Sequence, residues 1–277
     1  MKYFSLAVTA LLAVGAFSSS AQAQCPVPGA PLQALVGTWG FSTQGFQVPF
    51  FHFLAAAGRF TASINPTTGR GVLTVTATSS LDGSIVRQEV DAGNFQVDDD
   101  CTGGTLRFNL SSRPIEFEIY FVNADEITLV ANTNRDAVVG TAKRVVPVAC
   151  PAVALQALAG TWIFSTDGFT VLPRGDNQIL TSAGRFVATV ALDRGGNLAG
   201  VLAISATSSL NGSSTRREQD AGRFQVNTDC SGGTLIFNLS SRPVQFDFYF
   251  SGPNSIVMVG IRNGDVVLGS ARRFGTI

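Results

Sequence analysis

Histidine is almost absent from this sequence: His52 stands alone in 277 residues. A zinc centre draws on several His or Cys ligands at close spacing, so the ligand supply excludes one. Ser–His catalysis fails with it. There is no Gly-x-Ser-x-Gly elbow, and the second half of the chain has no imidazole to act as base. Charge is scarce too, at 14% of residues, and balanced at 19 basic against 19 acidic. Phosphate binding needs a basic surface, which sets nucleic acid aside as a partner. Beyond the N-terminal stretch no apolar run reaches the ~18 residues of a membrane span. No segment shows a helical period. Nothing here calls for a cofactor.

What is present begins with "MKYFSLAVTALLAVGAFSSSAQAQC". Lys2 supplies a positive start, Phe4–Phe17 an apolar stretch, and Ala21-Gln22-Ala23 a small-x-small cleavage site. Residues 1–23 therefore read as a secretory signal peptide, with Gln24 the new N-terminus. A lipid-modified Cys25 would need a small residue where Gln24 stands. The expected location is secreted or periplasmic.

The rest of the chain repeats itself, and internal repeats decide a fold before anything else does. "LQALVGTWGFSTQGF" at 32–46 returns as "LQALAGTWIFSTDGF" at 155–169. "DAGNFQVDDDCTGGTLRFNLSSRP" at 91–114 returns as "DAGRFQVNTDCSGGTLIFNLSSRP" at 220–243. The offset drifts from 123 to 129 across two small insertions and then stays fixed. Two tandem units follow, 24–148 and 149–277.

Inside each unit the texture is short strands divided by turn signals. "TLRFNL" sets Leu106, Phe108 and Leu110 against Arg107 and Asn109, the period of two that a half-buried strand requires. Asp82-Gly83 and Asn211-Gly212 suit tight hairpins, whose turn residues take positive φ. Eight strands per unit are predicted, in the first near 37–46, 57–64, 71–80, 84–97, 104–111, 115–122, 126–132 and 137–145, with a bulge at Gly93. Sequential hairpins of this kind hide their edges by closing. The fold class is all-β: two tandem eight-stranded antiparallel up-and-down β-barrels, with β-sandwiches as the alternative. One sixteen-stranded membrane barrel is a third arrangement, opposed by the cysteines and the dense apolar faces, so no stable membrane insertion is expected.

Cys25 and Cys150 each precede Pro ahead of a unit, and Cys101 and Cys230 sit in the shared "DC[TS]GG" turn. Four cysteines allow three pairings; the repeat singles out Cys25–Cys101 and Cys150–Cys230, in a compartment that permits oxidation. The connector "RVVPVACPAVAL" is short and apolar, so the units are expected to pack together. Residues 24–148 carry 8 basic and 11 acidic groups and residues 149–277 carry 10 and 8, opposite signs that assist docking.

At "GTW" the chain resembles the lipocalin or calycin type, in which Gly-x-Trp opens the first strand and a basic residue of the last strand covers the indole. Trp39 with Arg144 and Trp162 with Arg273 match that order. The resemblance implies a guanidinium over each indole face, a cation–π contact that plugs one barrel end. The units are shorter than a typical lipocalin. More specifically, "AGNFQVDDDCTGGTL" and "AGRFQVNTDCSGGTL" resemble a pattern of uncharacterised secreted bacterial proteins, which implies a small β-barrel and no particular activity.

Inward residues are the candidates for a ligand-binding lumen: Trp39, Phe41, Phe108, Phe117, Ile119 and Phe121 in the first unit. In the second they are Trp162, Phe164, Phe237, Phe246, Phe248 and Phe250. Phe46, Phe50, Phe51, His52 and Phe53 form an apolar stretch on an expected loop, too large to leave bare. Burial between the units is the first expectation, with a ligand mouth and an outer or membrane surface behind it. Asp98-Asp99-Asp100 offers carboxylates to calcium, but its counterpart Asn227-Thr228-Asp229 keeps only one, so a solvated loop is expected. Charged residues at matching positions are Arg59/Arg185, Glu89/Glu218, Asp91/Asp220, Arg113/Arg242 and Glu118/Asp247, with Tyr120 matching Tyr249. Alternation places Glu118, Asp247 and the tyrosines on the outer wall, where salt bridges are expected; facing inward they could do acid/base work. The leading expectation is a secreted, non-catalytic protein holding a small hydrophobic molecule in the lumen. A structural or adhesive protein with filled barrels, and a barrel-type cyclase or isomerase, are the alternatives. No protein partner is indicated.

Overall fold

The computed structural model describes residues 25, 29–47, 52–110, 114–133, 136–146, 150–171, 178–210, 214–239, 243–262 and 264–275. The expected signal peptide, Phe50, Phe51, Arg113, Arg242 and the Asn211-Gly212 turn lie outside them. The first half forms β1 (Gly37–Gln47), β2 (His52–Ile64), β3 (Gly71–Leu81), β4 (Ser84–Val97), β5 (Gly103–Asn109), β6 (Pro114–Asn123), β7 (Glu126–Ala131) and β8 (Asp136–Arg144). The second forms β9 (Gly160–Thr170), β10 (Gln178–Leu192), β11 (Leu198–Leu210), β12 (Ser214–Val226), β13 (Gly232–Asn238), β14 (Pro243–Gly252), β15 (Ser255–Gly260) and β16 (Asp265–Phe274). Each set of eight closes into an up-and-down antiparallel barrel. β8 returns to β1 with Arg144 opposite Trp39, and β16 returns to β9 with Arg273 opposite Trp162. Closure rules out the sandwich and leaves neither ring an open edge.

Alternation builds the interior. Along β5, Leu106 and Phe108 are buried while Arg107 and Asn109 face water. A short 3-10 turn precedes each barrel, Pro31–Ala34 and Ala154–Ala157, and closes one end. The Trp39 indole donates to the Leu35 carbonyl at 2.8 Å, and Trp162 donates to Leu158 at the same distance. Arg144 lies 4.4 Å over the Trp39 ring and Arg273 lies 4.8 Å over Trp162. The arginines also donate to the turn carbonyls of Ala34 and Ala157, so one residue seals ring and backbone together. Cys25 bonds Cys101 and Cys150 bonds Cys230, the pairing that the repeat singles out.

Two local expectations change. The stretch from His52 is strand rather than loop: β2 pairs with β1 from His52 opposite Gln47 onward. The bulge in β4 lies near Gln88, which has φ +48°, where the register against β3 shifts between Ala77 and Ser79. Gly93 pairs regularly on both sides. Its missing side chain answers a close approach instead, since a Cβ there would lie 2.1 Å from the Arg107 carbonyl oxygen.

Candidate functional site at the seam between the barrels

The predicted lumen residues lie in the core of each barrel. In the first, Phe41 and Phe108 stack at 5.6 Å, and Phe60 joins Trp39 to Phe108 at 6.2 and 5.7 Å. Phe117 meets Phe108 edge-on, Ile119 is buried beside them, and Phe121 is only partly buried. In the second, Phe186 lies 6.1 Å from Trp162 and Phe164 and 5.8 Å from Phe237, and Phe237 touches Phe246. Phe248 and Phe250 contact each other at 5.4 Å, both fully buried. These rings pack against one another in the core of each barrel. Phe60 and Phe186 escaped the sequence reading, although the repeated "AGRF" marks both.

The structure brings other residues together where the barrels meet. The first barrel presents β1, β2 and β3, flanked by β8 and by Arg87 of β4; the second presents β14, β15 and β16. Ala55 and Ala57 pack against Tyr249, Val259, Val266 and Leu268, all buried. Phe53 lies 4.1 Å from Phe169 across the seam, and Phe46 lies 5.0 Å from Phe53. His52 pairs with the Asp82 carboxylate, whose other oxygen accepts the Phe53 N–H at 2.7 Å, fixing the start of β2 to the β3–β4 turn. At that turn Gly83 accepts from the Gly264 N–H at 3.1 Å. A Cβ on Gly83 would fall 2.3 Å from the Gly264 Cα. Gly40 serves a similar end at another edge, where a Cβ would meet the Ser251 Cα at 2.9 Å.

A polar cluster sits beside this apolar patch. Asp247, 1% exposed, accepts the Thr78 hydroxyl at 2.9 Å and two Arg87 donors at 2.6 and 3.0 Å. Thr234 adds a further bond at 3.1 Å. The Thr78 oxygen also accepts the Gln88 N–H at 3.0 Å, and lies 2.8 Å from the Tyr249 hydroxyl. Since the single Thr78 proton goes to the carboxylate, Tyr249 donates to Thr78. Burial is the main reason the Tyr249 hydroxyl is held well above its usual pKa, and the neighbouring Asp247 charge adds to it. The hydrogen bond to Asp247 raises the Arg87 pKa against the cost of burial. Asp247 and Tyr249 thus stand on the outer wall, as alternation requires, and every contact they make is structural. They face no lumen, so the acid/base arrangement does not form. Arg87 and Thr78 were missed in the sequence, although both recur in the second unit as Arg216 and Thr207.

Above the patch the rims diverge and leave a cleft of about 480 Å³. Phe46, Phe53 and Leu54 of the first barrel and Phe169, Ile179 and Val266 of the second line it, with Gln44, Asp167 and Thr181 as polar groups. A second, more polar seam cleft of about 620 Å³ holds Arg59 opposite Asp229. Burial lowers the Arg59 pKa, partly offset by the Asp229 charge. Burial works against the Asp229 carboxylate as well, but the Ser231 donors and the Arg59 charge outweigh it and its pKa falls. In the matching turn of the first barrel, Thr102 donors lower the Asp100 pKa. Asp98, Asp99 and Asp100 gather no metal-binding group, and none of three or more His, Cys, Asp or Glu exists among the described residues.

No family model matches the chain, and no curated protein does. Among solved structures it is similar to a redesigned β-barrel bound to DFHBI, at 20% identity over 43% of this chain and all of that one, TM-score 0.29. A DUF3598-family protein of unknown function from Nostoc punctiforme is 12% identical over 89% of this chain and 99% of its own, TM-score 0.20. An AttH-like protein of Nitrosomonas europaea is 9% identical over 87% and 92%, TM-score 0.28.

Proposed function

We propose that the chain is a non-catalytic binding protein of an oxidising compartment, made as units 24–148 and 149–277 behind a cleaved signal peptide. Its ligand is a small hydrophobic molecule. The two disulfides suit such a compartment. The aromatic packing of each core favours the cleft between the rims over a lumen as the place of that ligand. One observation carries this reading: apolar side chains of both barrels enclose about 480 Å³, within the range of small-molecule sites, and a few polar groups stand at its margin. The same aromatic packing favours the second reading, a structural extracellular protein.

N-Phenyl-1-naphthylamine, an apolar fluorophore, separates the two. Saturable fluorescence enhancement with the full chain, lost in Ile179→Arg and kept in Leu192→Arg at an exposed strand end that lines neither seam cleft, is the expected result. Enhancement that survives Ile179→Arg, or no enhancement with the unaltered protein, rejects the cleft as a site.

A further inference from the structure

The seam joins two different faces. The first barrel uses β1–β3, with the edge of β8 and with Arg87 of β4, and the second uses β14–β16. Because the barrels are repeats, each owns a copy of the face that it does not use at the seam. The copies are β6–β8 of the first barrel and β9–β12 of the second; β8 and β9 already touch the seam, and the β6–β7 and β10–β12 walls are left open.

Their chemistry follows the seam residue by residue. Asp247 and Tyr249 of the occupied wall correspond to Glu118 and Tyr120 of the open one, and Val259 corresponds to Val130. Tyr120 and Val130 are 56% and 38% exposed. Opposite them, Ala57 and Thr78 correspond to Ala183 and Thr207, both exposed. The Arg87-Gln88 pair corresponds to Arg216-Arg217, and Arg217 stands opposite Thr207 in the β11–β12 register. Where the seam brings Gly40 against Ser251, the open walls carry Ile163 and Val122, 47% and 58% exposed. A side-chain contact would replace a backbone one there, so the second joint is a related seam rather than an identical one.

Charge favours the same pairing. The open wall of the first barrel belongs to the acidic unit and carries Glu118, while that of the second belongs to the basic unit and has Arg217 in register with Thr207. A contact between two copies of the Glu118 wall would oppose like charges, whereas first-to-second pairing satisfies them. Around each eight-strand ring, the occupied and open faces are centred three strands apart, on β2 and β7 or β15 and β10. Since β8 and β9 already meet the seam, a neighbour would rest on β6–β7 and on β10–β12.

We infer that the chain associates head to tail with further copies of itself, the β10–β12 face of one molecule on the β6–β7 face of the next. Such a heterologous contact builds open chains, or rings where the rotation closes.

Sedimentation velocity over a concentration series tests it. The unaltered protein should form a ladder of species that shortens as salt rises. Tyr120→Arg and Glu118→Lys block one face, and Thr207→Arg blocks the other; each variant alone should be monomeric with an unchanged circular dichroism spectrum. Mixing Tyr120→Arg with Thr207→Arg should restore one dimer and nothing larger, because each partner keeps one intact face. Three results overturn the inference: a monomeric unaltered protein throughout, singly blocked variants that associate like the unaltered protein, or a mixture that stays monomeric while the unaltered protein assembles.

Discussion

β14 and β6 occupy the same place in their barrels and read almost alike, yet one is buried on both faces and the other on one. On β14, Asp247 and Tyr249 are 1% and 2% exposed; on β6, Tyr120 is 56% exposed and Glu118 takes an ordinary bond from Asn132. The strands share the same alternation and differ little in inward packing up to Ile119 and Phe248, while Phe121 is less buried than Phe250. They differ because a neighbouring barrel covers one outer wall, and burial converts an Asp–Tyr pair from decoration into a fully bonded cluster. The contrast teaches that the worth of a residue here is set by which wall it stands on.

The broadest way to challenge the comparison is to ask whether the barrels are equal apart from the seam. Cys101→Ser and Cys230→Ser each open a loop of similar length, and each should cost its own barrel roughly 4 kcal/mol. Thermal unfolding should then resolve two transitions, with the reduced barrel melting first. A single cooperative transition in either variant would mean that the seam fuses the barrels into one unit. Next in size, Tyr249→Ala should destabilise by about 3 kcal/mol through lost packing at a buried site, whereas Tyr120→Ala should change stability by less than about 0.5 kcal/mol. Urea unfolding of the two variants side by side measures this difference, and equal losses would erase the distinction between the walls. Asp247→Asn comes third. It strips a charge from two Arg87 bonds, for which about 2 kcal/mol is expected, while Glu118→Gln should be nearly silent.

The smallest effect is a titration. Asp229 has its pKa lowered partly by Arg59 of the other barrel, while Asp100 owes its lowered pKa to its own turn. A carboxylate whose folded pKa is depressed stabilises above its unfolded pKa, and that contribution disappears as pH falls through the folded value. Arg59→Met should raise the Asp229 pKa, shift the onset of acid unfolding upward for the second barrel, and leave Asp100 unmoved. Carboxyl chemical shifts followed by NMR report both sites at once.

Much of the architecture could be read from the residues alone. Duplication, period-two alternation in "TLRFNL" and repeated cysteines lead to two closed barrels with private disulfides, because each depends on local pattern or on a repeat of it. The seam could not be read so directly. Asp247 and Glu118 carry the same signal, and which of them is buried depends on a contact between residues more than a hundred positions apart. One clue was available: "GTWGF" against "GTWIF" replaces Gly40 by Ile163, and only the glycine admits a second backbone. β2 was obscured for a related reason. "HFLAAAGRF" lacks clean alternation since both of its faces are buried, one in the lumen and one at the seam. Its phenylalanines therefore resemble a capping loop rather than a strand.

The touching main chains at Gly83 and Gly264 have a mechanical consequence. Side chains can swing aside, but two peptide planes held by a hydrogen bond have no rotamers to give, so this point behaves as a fixed fulcrum beside the Phe53–Phe169 contact. The spacing of the two rims there is then set by the skeleton of the molecule, not by side chains that can turn away.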